Sequence, residues 1–125
     1  MSANGTPSNL ADLLRSTAAA RGPEVAFVDA STGLETTWAQ LDLAVDHLAA
    51  GLRRHGLDAG DRVALLLGNR IEFVATYFAT LRAGLVSLPL NTAYTEHEVA
   101  DVLARSGARL VVADEATEGV AAAAA

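Results

Sequence analysis

The stretch RVALLL at residues 62–67 constrains the fold of this chain more than any other feature. After Arg62 every side chain in it is apolar, so the strand that it predicts would present apolar groups to both faces of a sheet. Such a strand is typical of the centre of a parallel sheet with helices on both sides. The expected architecture is therefore an α/β fold built around residues 62–67.

Patterns before this strand predict one helix and a small hairpin. Leucines on one helical face follow Asn9, which can serve as the N-cap, and Gly22-Pro23 ends that helix. Alternating segments at 24–30 and 34–37 are separated by turn residues, which is typical of a hairpin.

Two capping boxes mark further helices. Thr37 with Gln40 precedes the helix that ends at Gly56, and Thr95 with Glu98 precedes the last predicted helix. Strands that alternate with single helices through short loops imply βαβ crossovers and a mainly parallel sheet. The remaining predictions are a helix over 70–83 capped by Asn69, a strand over 86–90, a helix over 96–106 and a buried strand over 109–113.

The helix over 71–83 is apolar around nearly its whole circumference. Its polar stripe consists of Glu72, Thr76 and Thr80, four residues apart, and large apolar side chains occupy most of the remaining surface. A helix of this kind is buried on more than one side. A small sheet covers one side only, so the pattern indicates further protein against the other.

The composition excludes several classes of protein. Apolar residues make up 51% of the chain and charged residues 19%, which is a globular composition, and no apolar run is long enough to span a membrane. A net charge of −6 argues against nucleic-acid binding. The absence of cysteine and the scattering of three histidines argue against a structural zinc site. The first residues lack the pattern of a signal peptide, so a cytoplasmic protein is expected.

Two segments have partial features of phosphate-binding loops. GLDAGD at 56–61 lies between a helix and a strand, the reverse of the order in a phosphate cradle, and is interpreted as a helix cap and turn. LLGNRIEF at 66–73 has the order strand, glycine, helix, and N–H groups at 69–71 beside Arg70 could hold an anion. It lacks the second glycine and the lysine of a Walker loop. An ordinary N-cap at Asn69 is the favoured interpretation, and an anion site is the alternative.

The other reactive side chains predict no active site. Glu96, Glu98 and Asp101 lie in or just after a first helical turn, where negative charge is favourable without a catalytic role. The remaining candidates are scattered along the chain: His47, His55, His97 and Ser87. We therefore assign no catalytic, cofactor-binding or metal-binding residue.

Four segments carry motifs that follow one another in a fixed order. They are TTWAQL at 36–41, GDRVALLLGNRIEF at 60–73, LRAGLVSLPLN at 81–91 and EVADVLARSGARLVVAD at 98–114. In order and spacing they resemble the opening motifs of the adenylate-forming enzymes, the AMP-dependent synthetases and ligases. Asn91 and the TAYTEHE that follows it resemble acyl-CoA synthetases more than amino-acid adenylation domains.

The resemblance implies the N-terminal subdomain of the adenylate-forming fold. Members of this family activate a carboxylic acid with ATP and Mg²⁺ to an acyl-adenylate and then form a thioester, usually with coenzyme A. The family's phosphate loop, ribose-binding acid, hinge and catalytic lysine are absent from the matched motifs, and the chain contains no lysine. The chain alone is therefore expected to bind no cofactor and to be inactive.

Composition and the resemblance together divide the chain into three parts. Residues 1–8 are interpreted as a flexible tail, 9–114 as a partial N-terminal domain of the AMP-binding type, and 115–125 as an unstructured or truncated end. Five final alanines do not form a stable helix by themselves. Asn91 follows the carboxyl end of a strand and is expected to face the substrate cleft.

Expected partners are a carboxylic acid and the missing C-terminal part of the fold, carried by this polypeptide or by a partner chain. Neither nucleic acid nor a membrane span is expected. Two other interpretations stay open: a stand-alone binding or interaction module, and a small flavodoxin-like domain that binds a nucleotide by itself.

Overall fold

The computed structural model describes residues 10–125. The predicted cap Asn9 and the predicted tail 1–8 lie outside the described residues. The elements in chain order are α1 (Leu10–Arg21), β1 (Val25–Val28), β2 (Glu35–Thr37), α2 (Trp38–Arg53), β3 (Arg62–Leu66), α3 (Ile71–Arg82), β4 (Val86–Pro89), α4 (Glu96–Ser106), β5 (Leu110–Ala113) and α5 (Glu118–Ala124). None of these helices is long and apolar enough to cross a lipid bilayer.

β3 is the central strand of a parallel sheet whose order is β4-β3-β5. Its residues 63–66 are completely buried, which confirms the prediction from RVALLL. The N–H of Val86 donates to the carbonyl of Asp61, just before β3, and that of Leu90 donates to the carbonyl of Leu65 in β3. The nitrogen of Pro89 therefore points to the outer edge, where no donor is needed. β5 lies at the other edge and is half-buried, because β3 alone among the described strands pairs with it.

The local signals for the hairpin and for two helices are confirmed. β1 and β2 pair antiparallel, as their turn residues predict. The Thr37 hydroxyl accepts the N–H of Gln40 at 3.2 Å, and the Gln40 side chain accepts the N–H of Thr37 at 2.9 Å. Thr95 and Glu98 form the same reciprocal pair. These boxes start α2 and α4 at the predicted residues.

Alternate side chains of β3 enter two separate cores. Val63 and Leu65 pack with α1, α2 and α3 in the larger core. Leu66 packs with Val99 of α4 and Ala121 of α5 in the smaller one. Because successive side chains of a strand point to opposite faces, the sheet has an α2–α3 face and an α4–α5 face.

Two of the three residues in the polar stripe of α3 point into the protein. Thr76 and Thr80 are buried, whereas Glu72 is exposed and the large apolar side chains of α3 are only half-buried. The Thr80 hydroxyl donates to the Thr76 carbonyl one turn earlier, so its polar group is satisfied inside the helix. Small side chains therefore let α3 approach the core closely, a pattern different from the all-round burial that its composition predicts.

An ion cluster joins α1, α2 and α3 on the same face. The Arg82 guanidinium lies 2.7 Å from Asp42 and 3.1 Å from Asp46, and its side chain is only 10% exposed. Arg15 reaches Asp46 at 2.7 Å from the solvent side, with its side chain 55% exposed. The hydrogen bond from Arg15 lowers the pKa of Asp46. Arg82 thus carries the inner part of the cluster and Arg15 the outer part.

The end of the described chain differs from the prediction. Residues 118–124 form α5, whereas 115–125 were expected to be unstructured or truncated. Alanine has a high helix propensity, and burial of Ala121 in the smaller core supplies the tertiary contact that a free helix lacks.

Candidate functional site

The three parallel strands end at one edge of the sheet, where the segments that leave them diverge. β3 is followed by Gly68–Arg70, β4 by Leu90–Asn91 and β5 by Asp114. α3 returns along the α2–α3 face and α5 along the other face. This divergence between β3 and β5 is a topological switch point, the place where open α/β sheets bind ligands. The crevice between Gly68 and Asp114 is therefore the candidate functional site.

The Asp114 carboxylate spans this crevice. Its Oδ2 accepts the N–H of Gly68 at 2.9 Å. Its Oδ1 accepts the N–H groups of Ala116 at 2.9 Å and Thr117 at 3.1 Å. The hydrogen bond from the Gly68 backbone is the main cause that lowers the pKa of Asp114. The side chain is thus a fixed carboxylate that ties the end of β5 to the end of β3.

Thr117 makes a second connection between the same strands. Its hydroxyl donates to the Leu66 carbonyl at 2.6 Å, and its oxygen accepts the N–H of Asp114 at 3.1 Å. The side chain is buried. We call the hydrogen bonds that join Asp114 and Thr117 to Gly68 and Leu66 the Asp114–Thr117 brace. The brace fixes the start of α5 against the end of β3.

Nearby carboxylates argue against an anion site in residues 66–73. The N–H of Gly68 is taken by a carboxylate, and the N–H of Arg70 donates to the Gly68 carbonyl at 2.9 Å. The Arg70 guanidinium lies 3.7 Å from the Glu72 carboxylate, and its charge also acts on Asp29 across a cleft of about 470 Å³. An added phosphate would therefore meet carboxylates around this turn, which repel it.

The predicted N-cap at Asn69 is wrong. The N-cap of α3 is Arg70, in extended conformation, and its side chain makes no capping hydrogen bond. The Gly68–Arg70 turn, held by Asp114, moves the helix start one residue beyond the predicted cap. The interpretation of GLDAGD as a turn agrees with the structure, because Gly56 and Gly60 both have positive φ and the N–H of Gly60 donates to the Gly84 carbonyl. The C-cap of α2 is Arg54, so the left-handed Gly56 lies two residues past the cap that it was predicted to supply.

Asn91 lies at the same edge of the sheet, past the end of β4. It is exposed, and its side-chain oxygen accepts the N–H of Ala93 at 2.8 Å. The N–H of Tyr94 donates to the Asn91 carbonyl, so both groups of Asn91 shape the turn into α4. That Asn91 faces a substrate cleft stays a prediction.

The other reactive side chains do not meet in one place. The N–H of Thr95 is the main cause that lowers the pKa of Glu98, and Asp101 pairs with Arg105 at 3.1 Å. His47 and His55 border a groove beside β5, and the buried Ser87 hydroxyl makes no hydrogen bond. Within residues 10–125, no three of the histidine and carboxylate side chains are grouped closely enough to hold a metal ion.

Sequence reasoning missed Asp114 and Thr117 as a site. The available signal was an Asp directly after an apolar strand with a Thr three residues later, a pair that can bond to its own backbone. Their partners Gly68 and Leu66 are 46 and 51 residues away, and no local pattern identifies them.

Known proteins match both this sequence and this fold. The sequence family described as AMP-binding enzyme matches residues 14–125. Long-chain-fatty-acid–CoA ligase FadD13 of Mycobacterium tuberculosis is 34% identical over 104 residues, which are 83% of this chain and 21% of that protein. The medium-chain fatty-acid–CoA ligase of Escherichia coli is 36% identical over 85% of this chain and 19% of its own length.

A solved structure agrees with these relatives. The N-terminal domain of FACL13 from Mycobacterium tuberculosis superposes with a TM-score of 0.88 at 32% identity, covering 94% of this chain and 30% of that one. The chain thus spans about a fifth of the length of the curated relatives it matches. This protein belongs to the AMP-binding enzyme family, and it has the fold of the N-terminal part of the adenylate-forming acyl-CoA ligases.

Proposed function

We propose that this chain forms one wall of the substrate cleft in a cytoplasmic, ATP-dependent carboxylic acid–CoA ligase. That enzyme would form an acyl-adenylate and then an acyl thioester. The observation that carries the proposal is the asymmetry of the match to FadD13, which covers 83% of this chain but 21% of the relative. A segment that matches about a fifth of its relative supplies part of the relative's fold. The motifs of this chain lie on strands, turns and helix caps.

Three features of this chain argue against binding of a nucleoside triphosphate by the chain alone. The N–H of Gly68, at the end of β3, is bonded to the Asp114 carboxylate. The chain has no lysine, and its net charge is −6. Electrostatic stabilisation of phosphoryl groups requires positioned cations. We therefore propose that the remaining part of the ligase fold, in the same polypeptide or in a partner chain, binds ATP, Mg²⁺ and coenzyme A.

ATP–pyrophosphate exchange tests the proposal. The purified 125-residue chain is expected to give no exchange with any carboxylic acid. A chimera in which this chain replaces the matched region of FadD13 is expected to give exchange, and FadD13 without that region serves as the inactive control. Exchange or ATP binding by the chain alone would contradict the proposal, as would a folded chimera without activity.

A further inference from the structure

An apolar cavity of about 230 Å³ lies between α1, β1, α2 and α3. Most of the side chains that border it are those of alanine, valine, leucine or phenylalanine, and no described residue on its border is charged. The Thr17 hydroxyl donates to the Leu13 carbonyl at 2.9 Å, one turn earlier in α1. The one hydroxyl donor on this border is therefore already used within its own helix.

A β-bulge brings two neighbouring residues of β1 to the cavity. β1 pairs with β2 through Val25 with Thr37 and Phe27 with Thr36, so Ala26 is an extra residue on its strand. In a regular strand, the side chains of Ala26 and Phe27 would point to opposite faces, but both residues border the cavity. Bulges re-aim side chains and are frequent next to active sites. The small side chain of Ala26 leaves space that a larger one would fill.

The walls of the cavity are tied to one another by polar contacts. The Asp46 carboxylate of α2 accepts hydrogen bonds from Arg15 of α1 and Arg82 of α3. The N–H of Trp38, at the start of α2, donates to the Glu24 carbonyl just before β1 at 3.1 Å. The cost of an empty cavity depends on how far its walls can collapse. Because these ties oppose collapse, the space stays open.

The entrance to the cavity lies on α1. Leu13 borders the cavity and is 44% exposed, whereas Leu14 and Leu41, which also border it, are only 2% and 3% exposed. A molecule from solvent would therefore enter past Leu13 and come to rest against Leu14 and Leu41.

The chemistry of the border selects an uncharged apolar occupant. Protein interiors contain few voids larger than a water molecule, because an empty space deprives its border of dispersion contacts. Water requires two or more polar partners, and the Thr17 hydroxyl donor is already used. A charged group would lose its hydration without gaining a counter-ion. An apolar cavity of about 150 Å³ is sufficient for benzene, so this one has room for a ring with a short substituent.

We propose that this cavity is a binding site for a small, uncharged apolar molecule, the size of one aromatic ring with a short alkyl group. The occupant would contact Ala26 at the bulge, Trp38 of α2 and Phe78 of α3. The proposal does not depend on the proposed function, since the cavity is formed by described residues of this chain.

A titration with toluene tests the proposal. Trp38 is the only tryptophan of the chain, so its fluorescence reports on the cavity directly. Toluene is expected to change the emission of the 125-residue chain along a saturation curve and to raise its Tm, because it binds the folded state. Benzoate has the same ring with a carboxylate in place of the methyl group, and it is expected to leave Trp38 emission unchanged.

Two variants fill the cavity from different walls. Ala26→Leu adds bulk at the bulge and Thr17→Leu adds it on α1, and each is expected to abolish the saturable emission change. Ala20→Leu makes the same kind of change at an exposed position of α1 and should keep the response. Circular dichroism checks that each variant is folded. Thr17→Leu decides the test if Ala26→Leu does not fold.

Three results would overturn the proposal. An emission change that rises linearly without saturation in the folded chain would show that toluene partitions without a site. A saturable response retained in the folded filling variants would place the toluene elsewhere. A response to benzoate equal to that for toluene would contradict the apolar character of the site.

Discussion

The two faces of the parallel sheet are covered to different depths. On the α2–α3 face, three helices pack large side chains over β3, and the ion cluster around Arg82 joins them. On the α4–α5 face, the buried core consists of Leu66, Val99 and Ala121, with half-buried side chains around them. The difference indicates that the first face is largely complete within this chain, while the second depends on fewer contacts and on the Asp114–Thr117 brace.

Core truncation is expected to give the largest difference between the faces. Leu65 is completely buried on the α2–α3 face, so Leu65→Ala should lower the free energy of unfolding by about 4 kcal/mol. Leu103 is half-buried on the other face, and Leu103→Ala should cost about 1 kcal/mol. Urea denaturation measures both variants. Equal losses would show that the faces contribute equally to stability.

The ion cluster gives the next largest effect. Arg82→Met keeps the aliphatic stem but leaves Asp42 and Asp46 facing each other without their inner cation, at a cost of about 3 kcal/mol. Arg15→Met removes the exposed cation of the same cluster and should cost about 0.5 kcal/mol. The comparison fails if Arg15→Met is as damaging as Arg82→Met in urea denaturation.

On the α4–α5 face, the Thr117 hydroxyl attaches the start of α5 to the end of β3. Thr117→Val keeps the shape of the side chain but removes the donor to the Leu66 carbonyl, so a loss of about 2 kcal/mol is expected. Thr117→Ser keeps the hydroxyl and is the matched control. Hydrogen exchange should show α5 amides such as Ala121 opening faster in Thr117→Val than in Thr117→Ser. Equal exchange in the two variants would mean that the hydroxyl does not hold α5.

Much of the fold follows from local sequence signals. The apolar run at 62–67 fixes the central strand, the Thr37 and Thr95 capping boxes fix two helix starts, and Pro89 marks an edge. Each of these depends on residues within one element or its cap. Local reasoning is therefore sufficient for the order of elements from α1 to β5 and for the parallel sheet.

The candidate site depends on contacts between distant residues, which a single sequence does not reveal. In the sequence, Asp114 cannot be told from an ordinary loop residue. Only the fold, in which β5 places it beside Gly68, gives it a partner. α5 has too few residues to be stable alone and forms because Ala121 packs against Leu66 and Val99. The inward direction of Thr76 and Thr80 likewise follows from close packing of α3, which overrides their polarity.

The pH dependence of stability gives the smallest expected effect, and it is the most specific test of the brace. Gly68 lowers the folded-state pKa of Asp114, so the stabilisation is complete above the usual aspartate pKa of about 4 and is lost as the pH falls through the lower folded-state value. Asp114→Asn should therefore be less stable than the natural chain by a constant amount from pH 7 to about pH 5. The difference should begin to shrink below about pH 4, where the carboxylate of the unfolded chain takes up a proton, and should disappear as the pH falls through the lower folded-state pKa. Glu115→Gln, at an exposed neighbouring position, is the control and should change stability little. A difference for Asp114→Asn that stayed constant down to pH 3 would show that the charge of Asp114 does not hold β5 to β3.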